Sequence, residues 1–401
     1  MPSKRIMAQR SDNNFELLSP AGDFDSLKAA VVCGANAVYL GLGDYNARSK
    51  AKNFSLEELR LALIYCHERN VKVYLTMNTL LKDDEINKAL KLAVNAIDEG
   101  IDGIILQDLG LLKALQNVRP DFSYHASTQL GVHNAPGIKA AEKMGFKRVV
   151  LSRETLSEDI EEMNKTSKVE KEFFIHGAHC VSFSGNCYFS SLVSGYSGNR
   201  GKCLQLCRKK YTLSGEGKTK KGYMLSTKDI CLVKDLKKVK SLGILSGKIE
   251  GRLRSKEYAG ITAQTYAKAL KGVLNASDLD KLKVVFNRGD YSSAYLNSSQ
   301  PDLIYDEIQS NIGLKIGRVV SYRKDLAFFS LSSSFNVCSG DGVKLIKDGR
   351  ELCGGFVILP NKIKMDRICN VTGALIYLTK SKDLSEEIEE KVKKAGGKGS
   401  E

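Results

Sequence analysis

No run of about 18 uninterrupted apolar residues occurs in the 401-residue sequence, so a membrane span is not expected. The opening stretch, MPSKRIMAQRSDNN, lacks the apolar segment of a secretory signal. It reads as a short disordered lead, and the two absences together predict a cytoplasmic protein. Stable disulfides are uncommon in that compartment, so the ten cysteines are to be explained as buried thiols or metal ligands. Neither the paired C-x2-C of zinc ribbons nor the C-x2-C-x2-C-x3-C run of small ferredoxins is present. The H-E-x-x-H of a metalloprotease is missing too, since its nearest approach, His67-Glu68-Arg69-Asn70-Val71, lacks the second histidine. Acidic residues are scarce in one place above all. Between Arg200 and Lys256 four acids (Glu216, Asp229, Asp235 and Glu250) face 17 Lys plus Arg, which is +13 of a net charge of +15. Such a segment suits a polyanionic partner.

What is present concentrates in residues 172–208, EFFIHGAHCVSFSGNCYFSSLVSGYSGNRGKCLQLCR. Four cysteines (Cys180, Cys187, Cys203 and Cys207) and two histidines (His176 and His179) lie there among glycine, serine and asparagine. With Cys231 the spacing is C-x6-C-x15-C-x3-C-x23-C. Spacing this wide requires the fold to assemble the ligands. Four thiolates can hold either a tetrahedral zinc or an iron–sulfur cluster, and spacing does not choose between them. Cys33 and Cys66 fall in helical patterns and read as buried apolar residues, as do Cys338, Cys353 and Cys369 in the strand-rich tail.

From residue 14 to about 270, β-branched runs alternate with helical patterns. The runs are FELLS, AVYLG, KVYLTMN, GIILQD, SYHAST, RVVLSR, EFFIHG, YMLST (223–227) and ILSGKIEG (244–251). The β-then-α order implies a parallel sheet, and nine candidates suit an eight-stranded TIM-like (β/α) barrel with one extra or irregular strand. Chemistry in such barrels gathers where strands end. Those positions here carry Asp23, Asn78, Gln107, Ser127, Gln129, Arg153, His176, Glu250 and Arg252, although Asp23 also suits a helix cap. The expected organisation is a disordered lead at 1–13, a barrel at 14–272 with a Cys-rich insertion at 178–222, and a connecting segment at 273–311. A small antiparallel β-barrel-like domain follows at 312–380, then a charged helical, flexible tail at 381–401.

The stretch E-x-F-x-x-G-A-x-C-x4-G-x-C-x-x-S, here Glu172, Phe174, Gly177, Ala178, Cys180, Gly185, Cys187 and Ser190, closely resembles the signature of peptidase family U32. ELLSPAGDFDSLKAAVVCGANAVYLG, MNTLLKDDE, HASTQLGVHN, VVLSRE, NRGKCLQLCRKKY and KIEGRLRSKEYAG are similar to further blocks of that family, in its order. His179 and Phe189 depart from the family pattern. The resemblance implies a [4Fe–4S] cluster on Cys180, Cys187, Cys203 and Cys231, with Cys207 as the spare and zinc as the alternative metal. It also implies action on tRNA or rRNA, prephenate-dependent hydroxylation of a pyrimidine, and a second U32-family protein as partner. Arg153 and Arg252, with Gln129 and Asn78, are the expected substrate-binding set, because guanidinium groups grip carboxylates bidentately. His176 and Glu250 are the acid–base candidates. The Cys-rich stretch is expected to close the barrel as a lid. Arg208, Lys209, Lys210, Lys218, Lys220 and Lys221, bracketing the loop SGEGKTKKG, are the expected RNA contacts. Two alternatives remain open: a peptidase, for which Cys180 with His176 is the conceivable pair, and an RNA-binding accessory protein with a structural metal.

Overall fold

Helices of nine to seventeen residues follow each of the first six strands, which are short and largely buried. The computed structural model describes residues 15–49, 51–359 and 361–396; the expected lead at 1–13 and the end of the expected tail, 397–401, lie outside them. Strands β1 (Glu16–Pro20), β2 (Ala37–Leu40), β3 (Lys72–Met77), β4 (Gly103–Leu106), β5 (Tyr124–Ala126), β6 (Arg148–Val150) and β7 (Glu170–Ala178) pair in parallel, each with the next. Helices α1 (Phe24–Val32), α2 (Leu56–His67), α3 (Asp83–Glu99), α4 (Leu109–Val118), α5 (Ala135–Lys143) and α6 (Ser157–Thr166) follow the first six strands. Asp23 caps α1 by accepting from the Ser26 amide at 2.8 Å, so this strand-end residue serves the helix.

After β7 the chain departs from the repeat. It forms the short helix α7 (Phe189–Ser194), then a hairpin, β8 (Tyr211–Gly215) and β9 (Lys218–Gly222), and then β10 (Asp229–Cys231), α8 (Leu236–Ser241) and β11 (Ser246–Ile249). Strand β11 pairs in parallel with both β7 and β1 and so closes an eight-stranded barrel. Helix α9 (Lys256–Leu270) follows. The expected strand at 223–227 is not formed. Ser226 and Thr227 instead accept hydrogen bonds from the buried Arg208 side chain, and Thr227 makes only an isolated bridge to Ile304. The extra strand is β10, which runs antiparallel to the end of β7 and pairs with the two-residue β12 (Tyr291–Ser292).

The barrel interior is charged at its N-terminal end. Arg148 bridges Glu16 and Glu172, Lys248 donates to Glu172 at 2.8 Å, and the Tyr74 and Ser246 hydroxyls donate to Glu16 at 2.7 and 3.0 Å. Buried charges are tolerated when paired and fully hydrogen-bonded, and this network meets that condition.

The expected connecting segment contains a helix, α10 (Ala276–Val285), started by an Asn275–Asp278 capping box. Beyond it β13 (Leu314–Arg323), β14 (Leu326–Leu331), β15 (Gly342–Lys347), β16 (Arg350–Leu359), β17 (Lys362–Met365) and β18 (Leu375–Lys380) form a closed antiparallel barrel in the order β13-β14-β17-β16-β15-β18. The tail is a packed element. Helix α11 (Lys382–Gly396) returns to the large barrel, burying Leu384 and Ile388 against α1 and α9. A Cβ on Gly260 of α9 would stand 2.6 Å from Ile388, so the two helices meet where a side chain is absent. Lys281 and Gln264 hold Glu387 at 2.7 and 2.9 Å, fixing the register of α11.

Candidate active site and cysteine lid

Two strand ends and one loop deliver charge to the mouth of the barrel. Glu250 follows β11, Arg153 follows β6, Arg252 lies two residues beyond Glu250, and Arg48 comes from the loop after β2. Arg48 Nη2 reaches Glu250 Oε1 at 3.0 Å and Arg153 Nη2 reaches Oε2 at 3.3 Å. Burial alone would raise the Glu250 pKa, but Arg48, Arg153, Arg252 and Lys248 outweigh it and hold the carboxyl at about 2. An ionised carboxylate held this way can accept a hydrogen bond but has no proton to give. Glu250 is thus a counter-ion to these arginines, and of the two halves of an acid–base role only that of a base is open to it in this form.

The two arginines expected to clamp a carboxylate are already engaged. Arg252 donates to Asn46 Oδ1 at 2.6 Å and Asn53 Oδ1 at 3.3 Å, knitting the loop after β2 to the mouth. Gly41 leaves the space for it, since a Cβ there would lie 2.3 Å from Arg252 Nη1. Arg153 lies 3.8 Å over the Phe174 ring, and its Nε is buried without a partner among the described residues. Asn78 is spent on the same loop, with Oδ1 accepting from the Ala47 amide at 3.0 Å. Gln129 contributes its backbone, whose carbonyl accepts from Gln107 Nε2 at 3.3 Å.

His176 does not face the mouth. The β7–β11 register shifts between Lys248 and Ile249, and the histidine turns to the helix side. There the rings of Tyr258, Tyr266 and Tyr291 lie 5.9, 5.5 and 5.5 Å away, and the Tyr266 hydroxyl is 3.4 Å from Nδ1. Burial, helped by Arg254, pushes its pKa down to about 3, so it is a neutral packed ring. The Cys180–His176 pair of a thiol protease is accordingly not assembled.

The loop from Cys180 to Arg208 is pinned across the strand ends. Ser184 donates its amide and hydroxyl to Glu154, both at 2.9 Å. Arg200 grips Glu85 bidentately at 2.7 and 2.8 Å, Leu80 donates its amide to the Asn199 carbonyl at 3.0 Å, and Ser49 Oγ donates to the Gly201 carbonyl at 2.9 Å. Gly185 has φ +79°, and a Cβ there would sit 1.9 Å from the Gln129 carbonyl oxygen, so glycine alone permits this seating.

Within the lid, Cys207 joins Cys180, Cys187 and Cys203. Its thiol is pushed up by burial first, and the charges of those three sulfurs add to the rise against the lowering effect of Arg208. Arg48, whose pKa is raised chiefly by Glu250, also feels Cys203, which ties the lid to the mouth. Cys207, the spare cysteine of the sequence reading, thus lies near the three lid sulfurs. Cys231 is on β10 as the strand partner of His176, four residues before Cys180 in sequence. Its buried thiol is pushed up to about 11 and accepts from the Tyr266 hydroxyl at 3.8 Å.

The donor set fits a thiolate-bound metal group in its chemistry: four free sulfurs on one pinned loop, with Cys203 exposed and the others half-buried. Among the described residues no three His, Cys, Asp or Glu side chains form a finished coordination shell.

The basic segment divides. Arg208 is buried and donates to the Ser226 and Thr227 hydroxyls and to the Thr227 and His179 carbonyls, so it holds the lid and cannot contact phosphates. Lys220 is paired with Asp306, and Lys210 lies 5.2 Å over the Tyr223 ring. Lys209, Lys218 and Lys221 are exposed, the last two on the hairpin that replaces the expected loop.

A family profile settles the kinship: that of Peptidase family U32 matches residues 22–304. The chain belongs to peptidase family U32. It is 35% identical over 360 residues to an uncharacterised protease of Methanocaldococcus jannaschii, covering 82% of this chain and 86% of that one. It is 33% identical over 362 residues to the 23S rRNA 5-hydroxycytidine synthase of Escherichia coli, covering 86% of this chain and 54% of the synthase, so it spans about half of that relative's length. With the tRNA hydroxylation protein P1 of Bacillus subtilis identity is 30% over 362 residues, 85% of this chain and 84% of the relative. The U32 signature residues have visible work in this fold. Glu172 anchors the ion network, while Gly177, at φ +102°, passes so close to the Glu250 carbonyl that a Cβ would lie 2.4 Å away.

Sequence reasoning missed Arg48, Asn46 and Asn53. They lie in a loop with no motif, and their partners are some 200 residues distant.

Proposed function

We propose that this U32 chain is an iron–sulfur protein of RNA modification that hydroxylates a pyrimidine in tRNA or rRNA, in the cytoplasm. The observation that carries the reading is the four-thiol lid fastened over a guanidinium-lined barrel mouth, in a chain whose relatives include proteins named for tRNA and rRNA hydroxylation. No helix among the described residues is long and apolar enough to cross a membrane. Cys180, Cys187, Cys203 and Cys207 would hold a [4Fe–4S] cluster, which supplies one-electron chemistry when bound. Hydroxylation replaces C–H by C–OH; the carbon loses two electrons and gains a hydroxyl, and a donor acid, prephenate in our reading, gives up that hydroxyl, takes the hydrogen and is reduced by the two electrons. The chain's own contribution is electrostatic. Arg48, Arg153 and Arg252 against the single Glu250 leave the mouth with excess positive charge, which favours a small carboxylic acid. A second U32-family protein remains the expected partner.

Mass spectrometry of nucleosides from a deletion strain tests this directly. One hydroxylated pyrimidine is expected to disappear, to return with the wild-type gene, and to stay absent with Cys180→Ser. An unchanged profile, together with peptide cleavage by cluster-free protein, would restore the peptidase reading.

The hairpin gives a separate expectation. RNA affinity should fall with salt at a log–log slope of about 0.7 to 0.9 per phosphate neutralised, and Lys218→Ala with Lys221→Ala should reduce that slope by roughly 1.5. Arg208→Ala should instead lower the melting temperature. A double variant with an unaltered slope would remove the hairpin from the RNA interface.

A further inference from the structure

Next to Cys180 the surface opens into a cleft of about 180 Å³ whose lining includes His133, Glu154, His179, Ser182, Phe183 and Tyr295. It is smaller than the roughly 300–1,000 Å³ of pockets for drug-sized ligands and has room for one planar ring. Two ring pairs line it, His133 with Phe183 edge-on at 6.2 Å and His179 with Tyr295 tilted at 5.9 Å. Phe183 is 62% exposed, a large aromatic face left in water on an otherwise pinned loop. His179 is the opposite case. It is 4% exposed, yet its Nδ1 has no hydrogen-bond partner among the described residues. Buried polar atoms without partners are rare unless a ligand or water completes them. Glu154 accepts two bonds from Ser184, leaving about half of a carboxylate's four acceptor positions open.

Enzymes that act on a base in folded nucleic acid take it out of the stack, hold it on aromatic rings and read its polar edge. We propose that this cleft seats the reacting pyrimidine of the RNA, stacked on Phe183 and Tyr295, with its edge read by His179 and Glu154. This rests on the RNA-hydroxylation reading above and adds where the base binds. The site lies against a lid cysteine, so a base seated there is adjacent to the group that Cys180 helps to hold. Bases of every kind can stack on the rings, and selectivity then falls to the histidine and the carboxylate.

The test is photo-crosslinking of the full chain to a short single-stranded RNA carrying one 5-iodouridine or, in a parallel reaction, one 5-iodocytidine. Cross-linked peptides should contain Phe183 or Tyr295, and Phe183→Ala should cut the yield about tenfold, the loss of one stacking contact. Because Phe183 is exposed, that variant should keep the wild-type melting temperature and iron content while failing to restore the hydroxylated nucleoside in the deletion strain. Cross-links confined to the hairpin or the small barrel, with Phe183→Ala restoring the nucleoside, would overturn the cleft and leave RNA hydroxylation standing. No cross-link at all, with an unchanged nucleoside profile in the deletion strain, would overturn both.

Discussion

Purified without oxygen, the wild-type protein is expected to be brown and to contain about four irons per chain, and serine at Cys180, Cys187, Cys203 or Cys207 to bleach it. Cys231→Ser should leave the colour intact. The contrast follows from placement. Cys207 feels the other three lid sulfurs, whereas Cys231 lies on β10 with the Tyr266 hydroxyl 3.8 Å from its sulfur. Loss of one ligand of four removes a quarter of the coordination and opens an iron to solvent, so the effect should be all or nothing. Iron analysis and visible spectra of the five variants decide it. A brown Cys207→Ser beside a bleached Cys231→Ser would return the fourth ligand to the position the family resemblance implied. A colourless wild type with one zinc would replace the cluster by the alternative metal.

Glu250→Gln should destabilise the fold by about 3 kcal/mol at neutral pH, because the substitution leaves the buried Arg153 and the partly exposed Arg48 without their carboxylate. The pH dependence has a definite sign. The folded-state pKa is depressed to about 2 from an ordinary 4.5, so the carboxylate's stabilisation is complete above 4.5 and is lost as pH falls toward 2. A shift of that size corresponds to roughly 3 kcal/mol. Urea unfolding of wild type and Glu250→Gln at pH 7 and near pH 3 should therefore show a gap that narrows in acid. A gap that is the same at both pH values would mean that Glu250 is not held ionised by its arginines.

The parallel barrel was legible because its strands are short, apolar and separated by helices with a 3.6-residue period, and strand-end reasoning then led to Glu250, Arg153 and Arg252. Side-chain direction was harder. One irregularity, at Lys248/Ile249, reverses His176, and no residue pattern announces it. The fourth thiolate is equally hidden, since C-x3-C and a cysteine beyond a strand both satisfy a wide spacing, and the Cys207 and Cys231 variants are what separate them. The hairpin at 211–222 has almost no apolar alternation and reads as a charged loop; its ladder is held by backbone bonds and one cross-strand hydroxyl pair, Ser214 with Thr219 at 3.2 Å. In α11 the string EEIEEKVKK looks like solvated tail, because two buried apolar residues suffice to dock a helix whose charges are met by Lys256 and Lys281.

That docking joins the two ends of the described chain, and it sets a schedule. Helix α1 finishes at Val32 and α11 begins at Lys382, so roughly 350 residues must be translated before the first helix receives its cover. At about 5–20 residues per second the wait is on the order of 20–70 s. From the synthesis of α9 onward the nascent barrel carries an uncovered apolar seam along α1 and α9, at the glycine that admits Ile388. A chain cut shortly before Lys382 would keep every catalytic candidate in place on a molecule with that seam open and prone to stick to its neighbours.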